Sequence, residues 1–552
     1  MITYKQYIYN KVGEVRKQIT LFSLFTIAFG MTLASCSEWD DHYDGGSAAG
    51  GSDASLWRQM SANPQLSDFC KVLEQTKVFR MHKKTPVSYA QLLDGGQLFT
   101  VVAPVNGSFN RDSLLAMLDT PQGDSIVEKS FIFNHLSRSA TSLRSDSQTM
   151  LLLNSKHVAV GGNTIEGVAV VEANKHASNG VLHVASRPLP YEPNLYEALC
   201  DMPVMSAIGS LLRQYEEDYF DADASVSSGI VEGVPVYVDS VVIEYNKMLN
   251  AIGLLGAEDS LYWVVAPTAD GWQRVWDKTS KYFEYDETVQ KRDSIQQYWT
   301  MRALMDDAVF NMTDQSDVNK AIVSVPYLNW RKSASSGKPV YHRFVAPFEP
   351  GGVLYGAQPV QCSNGVLYQT QEWPFRATDT WFKEIWAEGE STWLITEDKN
   401  CTYNARREVA DSISESAYLQ VLPQTATSNW ELTYRLNNTL SGDYDICLIL
   451  LPKSVSNQNN PDKKPCKFKA TLSYVDAKGI TQTETFGNKQ FTSKPERVDT
   501  VVLAERFHLP ACNYDQSDIK VTLRLQCSIL PRENTTYSRE MYLDCIYLRP
   551  RE

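Results

Sequence analysis

Trp373, Trp381, Trp386 and Trp393 stand close together in the chain. A tryptophan face stacks on a sugar ring or another flat apolar ligand, and it equally cements an interface between domains. Both uses stay open at this point, and Trp381, Trp386 and Trp393 are the candidate ligand contacts. The eight histidines are scattered, with no His-Glu-x-x-His pair or other metal set, so no metal ligand is expected. No Gly-x-Ser-x-Gly elbow, Gly-Lys-Ser/Thr phosphate loop or Gly-x-Gly-x-x-Gly is present, and no cofactor is expected. The 65 acidic residues could include a glycosidase pair, which only separation in space identifies. The expectation is a protein that is not an enzyme.

One cysteine has a setting of its own. Lys5, Lys11, Arg16 and Lys17 precede an apolar run from Ile19 to Ser35, the form of a signal peptide. The run ends in Leu33-Ala34-Ser35-Cys36, which resembles the lipobox of bacterial lipoproteins. The resemblance implies that residues 1–35 are removed and that Cys36 is acylated, and two or more acyl chains hold stably to a bilayer. Residues 36–53 then form a flexible tether, rich in glycine, serine and alanine from Gly45 onward. The acidic start Ser37-Glu38-Trp39-Asp40-Asp41 resembles the export signal of surface lipoproteins in bacteria that run glycan-uptake loci. It implies an outer-membrane, lipid-anchored and cell-surface location.

Charge and thiols narrow the partners. The chain carries −13, and loss of the four leader cations and Glu14 leaves −16, a surface that repels nucleic acid. Nine cysteines follow Cys36, at 70, 200, 362, 401, 447, 466, 512, 527 and 545. Their number is odd and none forms Cys-x-x-Cys, so mostly buried free thiols are expected, with a few disulfides left open.

Three phrases occur twice, in the same order. Pro64-Gln65-Leu66-Ser67-Asp68-Phe69 returns as Pro203-Val204-Met205-Ser206-Ala207-Ile208, and Phe99-Thr100-Val101-Val102-Ala103-Pro104 as Tyr262-Trp263-Val264-Val265-Ala266-Pro267. Ser178-Asn179-Gly180-Val181-Leu182 returns as Ser363-Asn364-Gly365-Val366-Leu367. The offset grows along the chain, as insertions in the second copy would make it, and units this long are tandem domains. Apolar residues at 66, 69, 72 and 73 share one helix face. The aromatic and valine run is a buried strand ended by proline. Asn-Gly is a tight turn into a final strand, both residues tolerating positive φ.

These elements in this order resemble the fasciclin domain, an α/β fold with a wedge-shaped β core and a helical flank. The resemblance places domains at 54–190 and 192–375. Asn134-His135 stands where that family has a Tyr-His pair; His135 either hydrogen-bonds within the fold, orienting turns near the core, or is a candidate ligand contact, and the second copy has Leu304-Met305-Asp306 there. From about Arg376 the texture turns to alternation: Phe468, Ala470, Leu472 and Tyr474 face one way, Lys467, Lys469, Thr471 and Ser473 the other. Residues 376–552 are therefore a β-sandwich, similar to a galactose-binding-type jelly roll, which binds sugars or serves as a spacer.

The fold class expected is α+β tandem fasciclin-like domains followed by an all-β jelly-roll-like sandwich. The resemblances imply a non-catalytic binding or scaffolding accessory of a SusC/SusD-type importer of glycan or peptide. The alternative is a fasciclin-type adhesion protein, which requires an accessible His135. A surface glycoside hydrolase is a third reading, requiring two carboxyl groups facing each other across a cleft.

Overall fold

In each copy the amphipathic phrase opens on a 3-10 turn at its proline, Pro64–Leu66 and Pro203–Met205, and continues as the helix Ser67–Gln75 or Ser206–Arg213. Leu66, Phe69, Val72 and Leu73 are buried, while Ser67, Lys71 and Glu74 face out. Met205, Ile208 and Leu212 bury the matching stripe of the second copy. Each such side chain contributes about 1.5–3 kcal/mol by leaving water. The computed structural model describes residues 53–80, 83–120, 123–231, 234–312, 317–325, 342–408, 413–455, 462–486 and 490–552. The leader, Cys36 and nearly all of the tether lie outside the described residues.

Against these helices lies a buried parallel pair of strands. Phe99–Pro104 runs beside Gly180–Ala185, Phe99 opposite Gly180, and Tyr262–Pro267 runs beside Gly365–Thr370, Tyr262 opposite Gly365. The first pair holds the second and third places of a seven-stranded sheet, and the second pair the two middle places of a four-stranded one. Both glycines hold φ near +150°, and a Cβ on either would meet the carbonyl oxygen of Phe99 or Tyr262 at 1.8 Å. No other residue fits.

The asparagine before each glycine has a different task from the positive φ expected of it. Asn179 Oδ1 accepts from the Leu56 amide at 2.7 Å, and Nδ2 donates to the carbonyls of Leu93 at 2.9 Å and Gly95 at 2.7 Å. Asn364 repeats the bracket, accepting from the Leu195 amide at 2.8 Å and donating to Leu255 at 2.8 Å and Ala257 at 3.0 Å. One buried amide thus pins a helix start and a loop to the central strand. Asn179→Ala strands three backbone groups, and urea titration should show a loss of about 3 kcal/mol. Asn364→Ala should cost as much.

Among the described residues, two segments of the second copy are enlarged beside those of the first. Between the amphipathic helix and the buried strand, the hairpin Lys77–Arg80 and Lys83–Ser88 of the first copy becomes Glu216–Val231 and Val234–Asn246. Between Ala269–Ser280 and Arg292–Met305, residues 281–291 reach into the third unit. There the Ser441 amide donates to the Tyr282 carbonyl at 3.0 Å, Cys512 to Glu284 at 2.7 Å, and Glu287 to Ala477 at 3.0 Å. Phe283 and Tyr285 belong to the core of the sandwich.

That sandwich is two antiparallel sheets. One runs in the order Cys401–Arg407, Ala417–Pro423, Met541–Arg551, Gly442–Leu450 and Asp499–Leu509, with Ile385–Glu388 also on Met541–Arg551. The other runs Ile395–Lys399, Glu431–Arg435, Thr522–Cys527, Lys467–Val475 and Thr481–Thr485, with Phe491–Thr492 also on Lys467–Val475. Phe468, Ala470 and Leu472 point into the core, as the alternation requires. Lys467 and Thr471 lie on the opposite face, as the alternation requires, and are buried there too, where Lys467 pairs with Glu533. The nine cysteines from Cys70 to Cys545 are free thiols, all buried except the half-buried Cys401.

Candidate functional site

The four tryptophans fall in different surroundings. Trp373 packs edge-on against Trp272 and Phe375 within the second unit. Trp381 is 4% exposed and meets Tyr282 at 5.0 Å, Phe283 at 5.7 Å and Phe382 at 5.7 Å between ring centres. It closes the joint between the second unit and the sandwich, so its assignment as a ligand contact is corrected: no ligand reaches it. Trp393 is 52% exposed, with the Arg435 guanidinium 4.9 Å from its ring centre.

Trp386 remains an open aromatic face. Strand Ile385–Glu388 lies antiparallel to Met541–Arg551, which sets Trp386 opposite Tyr547. The two rings stack 4.8 Å apart at 16°, and Trp386 stays 39% exposed. In register, Tyr547 faces Cys447 and Cys447 faces Val502, so an apolar row crosses four strands. Further along the sheet, Arg549 and Arg551 both bond Asp445, Arg549 Nη2 at 2.6 Å. Their guanidiniums hold the Asp445 carboxyl well below the usual carboxylate range. Tyr547 and Cys447 are themselves buried, so the open face is that of Trp386, stiffened from beneath by Tyr547, and it suits a flat ligand. Tyr547 was missed in the sequence because its partner lies some 160 residues away; the alternation of Cys545, Tyr547 and Arg549 is the signal that would have found it.

His135 sits inside the first unit, 1% exposed. Its Nε2 accepts from the Leu189 amide at 3.0 Å, which leaves Nδ1 to donate to the Phe131 carbonyl at 2.6 Å. Burial lowers its pKa to about 4, so the ring is neutral at physiological pH. Asn134 Nδ2 donates to the carbonyls of Leu189 at 3.2 Å and Pro190 at 3.1 Å. The pair therefore clasps the segment leading into the second unit, and the assignment of His135 as a ligand contact is corrected to this role. The adhesion reading, which needs it accessible, loses its support. Leu136 pairs with Val101 and Val309 with Val264, so the equivalent residues are Asp307-Ala308 and not Leu304-Met305-Asp306. Asp307 takes its histidine from elsewhere, bonding His342.

The same first joint is reinforced by Lys156, a buried cation that donates to Glu258 Oε1 at 2.7 Å and Ser363 Oγ at 2.8 Å. A second set of perturbed carboxyls lies in the sandwich. Ser414 Oγ donates to Glu388 at 3.0 Å and the Ser414 amide to Asp544 at 3.0 Å. Burial, helped by the neighbouring Glu390, lifts both Glu388 and Asp544 to about 7. Both side chains are buried, and each is tied to Ser414. Among the described residues no group of three or more His, Cys, Asp or Glu is arranged to hold a metal ion.

With this geometry in view, comparison with known proteins adds one assignment. Residues 64–190 match the fasciclin domain. The phrases Phe99–Pro104 and Asn179-Gly180 and the clasp of Asn134 and His135 lie within that fasciclin domain, and the bracket of Asn179 ties to it the helix start at Leu56 just before it. The second copy repeats its parallel strand pair and asparagine bracket. No curated protein matches the chain. Among solved structures, the FAS1 domain pair of the insect cell adhesion molecule fasciclin I is 12% identical, covering 51% of this chain and 90% of that one at a TM-score of 0.17. A xylan-binding domain of carbohydrate-binding module family 22 is 14% identical, covering 30% of this chain and 92% of that one at 0.20. A family 35 carbohydrate-binding module from Clostridium thermocellum is 10% identical, covering 30% and 97% at 0.18.

Proposed function

We propose that the protein is an outer-membrane surface lipoprotein that works by contact and without turnover, as a binding or scaffolding accessory of a SusC/SusD-type importer of glycan or peptide. The observation that carries this reading is a fasciclin domain following the sequence Leu33-Ala34-Ser35-Cys36 and a short tether. Support also comes from the joints. Lys156 and the aromatic cluster around Trp381 brace three units above the anchor, which suits a scaffold that presents a surface at fixed height. The face of Trp386, backed by Tyr547, is the surface best suited to an oligosaccharide, with Trp393 and Arg435 as a second contact.

Cys36→Ser should release the protein from the outer membrane in fractionation and abolish copurification with a SusC/SusD-type complex. Unchanged retention, or purification of the intact protein with no transporter subunit, sinks the reading. On a glycan array, Trp386→Ala should weaken binding at least tenfold, about 1.4 kcal/mol, within the range of a lost stacking contact. Trp381→Ala, away from that face, should leave the specificity pattern unchanged.

A further inference from the structure

The two copies carry a β-hairpin at the same place, and the two hairpins are opposite in charge. Strands Lys77–Arg80 and Lys83–Ser88 contain Lys77, Arg80, Lys83 and Lys84 and no acidic residue. Strands Glu216–Val231 and Val234–Asn246 contain Glu216, Glu217, Asp218, Asp221, Asp223, Asp239 and Glu244 and no lysine, arginine or histidine. In a chain that mixes 52 basic with 65 acidic residues, such separation into two equivalent elements marks them out.

Each hairpin is a two-stranded sheet, and among the described residues neither strand pair joins a larger sheet. The outer edges are therefore templates for a further strand. The acidic hairpin pairs from Glu216 opposite Asn246 to Val231 opposite Val234, an arm about 40 Å long at the usual rise per residue. A two-stranded ribbon by itself is marginal in water. The arm packs on itself and on the helix Leu249–Ile252. A cationic strand edge would offset the arm's net negative charge and supply the missing backbone partners together.

We propose that the acidic arm of one molecule docks on the basic hairpin of a second copy of this chain, so that molecules associate head to tail. Arm against arm would bring like charges together, as would basic hairpin against basic hairpin; only the unlike pairing gains. Because the two surfaces differ, the contact is heterologous and propagates into a ring or an open row. On lipid-anchored molecules such a row would lie in the plane of the membrane. This inference goes beyond the accessory role and stands without it.

The test is sedimentation velocity of the full chain in detergent, at about 0.01 M salt, where the Debye length is about 30 Å, and at about 1 M, where it is about 3 Å. The mass should rise with protein concentration at low salt and return to the monomer at high salt. Reversing the hairpin (K77E, R80E, K83E, K84E) or the arm (E217K, D218K, D221K, D223K) should each weaken self-association at least tenfold. Mixing the two variants, or combining the reversals in one chain, should restore it. A wild-type protein monomeric at every concentration in low salt overturns the proposal, as do single reversals without effect or a mixture without recovery. Should a reversed chain fail to fold, wild-type protein mixed from isotope-labelled and unlabelled copies and treated with a carbodiimide decides the matter. Crosslinks between residues 77–84 of one copy and 216–244 of the other are expected, and their absence refutes the contact.

Discussion

Trp381→Ala should lower the free energy of unfolding by about 3–5 kcal/mol, the range for emptying a buried aromatic site. The residue is all but inaccessible and is held by three rings, Tyr282, Phe283 and Phe382, two of which come from the second copy. Its loss opens the core of the sandwich and the joint at once. The backbone bonds from Ser441 to Tyr282 and from Cys512 to Glu284 would remain, but they would border a cavity. Calorimetry should therefore resolve the sandwich as a separate transition at lower temperature, while the fasciclin domain melts where it did before. A variant of unchanged stability would mean that the joint is held by its hydrogen bonds alone. Unchanged glycan specificity in the same variant would separate this tryptophan from Trp386.

The second large effect is on pH. Glu388 is lifted from 4.5 to about 7 by burial, with Glu390 adding to it, and Asp544 is lifted from 3.8 to about 7 by the same causes. A carboxyl whose value is higher folded than unfolded binds its proton more tightly in the native state. The stabilisation is thus fully present below the unfolded value, near 4.5, and is lost as pH rises through about 7. Asp306, lifted to about 6 by burial against the opposing pull of Arg302, acts in the same direction. The loss for Glu388 by pH 8 is roughly 3 kcal/mol, since a tenfold difference in proton affinity between the folded and unfolded chain corresponds to about 1.4 kcal/mol. Glu388 and Asp544 share one site, so their losses overlap and do not simply add. Thermal scans should show the protein more stable near pH 5 than near pH 8. Glu388→Gln should gain about 2 kcal/mol at pH 8 and change little at pH 5. A wild type and variant with parallel pH profiles would refute this account.

Legibility in the sequence followed sequence distance. The amphipathic helices, the buried valine strands and the duplication could be read because each phrase is local and occurs twice. The glycine of Asn-Gly was readable for the same reason. The asparagine bracket was not, since Leu56, Leu93 and Gly95 lie 84 to 123 residues from Asn179. Strand alternation placed Phe468, Ala470 and Leu472 on one face and Lys467 on the other, but it carried no sign that the second face is covered too, where Glu533 folds back over Lys467. The tryptophans show the limit most clearly. Their closeness in the chain suggested one site, yet strand pairing sends Trp386 to an outer sheet face and Trp381 into a joint. Residue type announced that His135 had a partner; only the fold revealed that the partner was the backbone of the next linker.

The segment 281–291 carries an evolutionary consequence. Phe283 and Tyr285 are encoded within the second copy but complete the interior of the sandwich. Recombination that moved the C-terminal third of the gene alone would deliver a module with an unfilled hole, and recombination that removed it would leave two aromatic rings without cover. The last two units are therefore heritable only as a pair, whereas the first unit, whose core from Leu56 to Val184 is drawn from its own residues, meets the second at the polar joint of Lys156 and would be separated from it at lower cost.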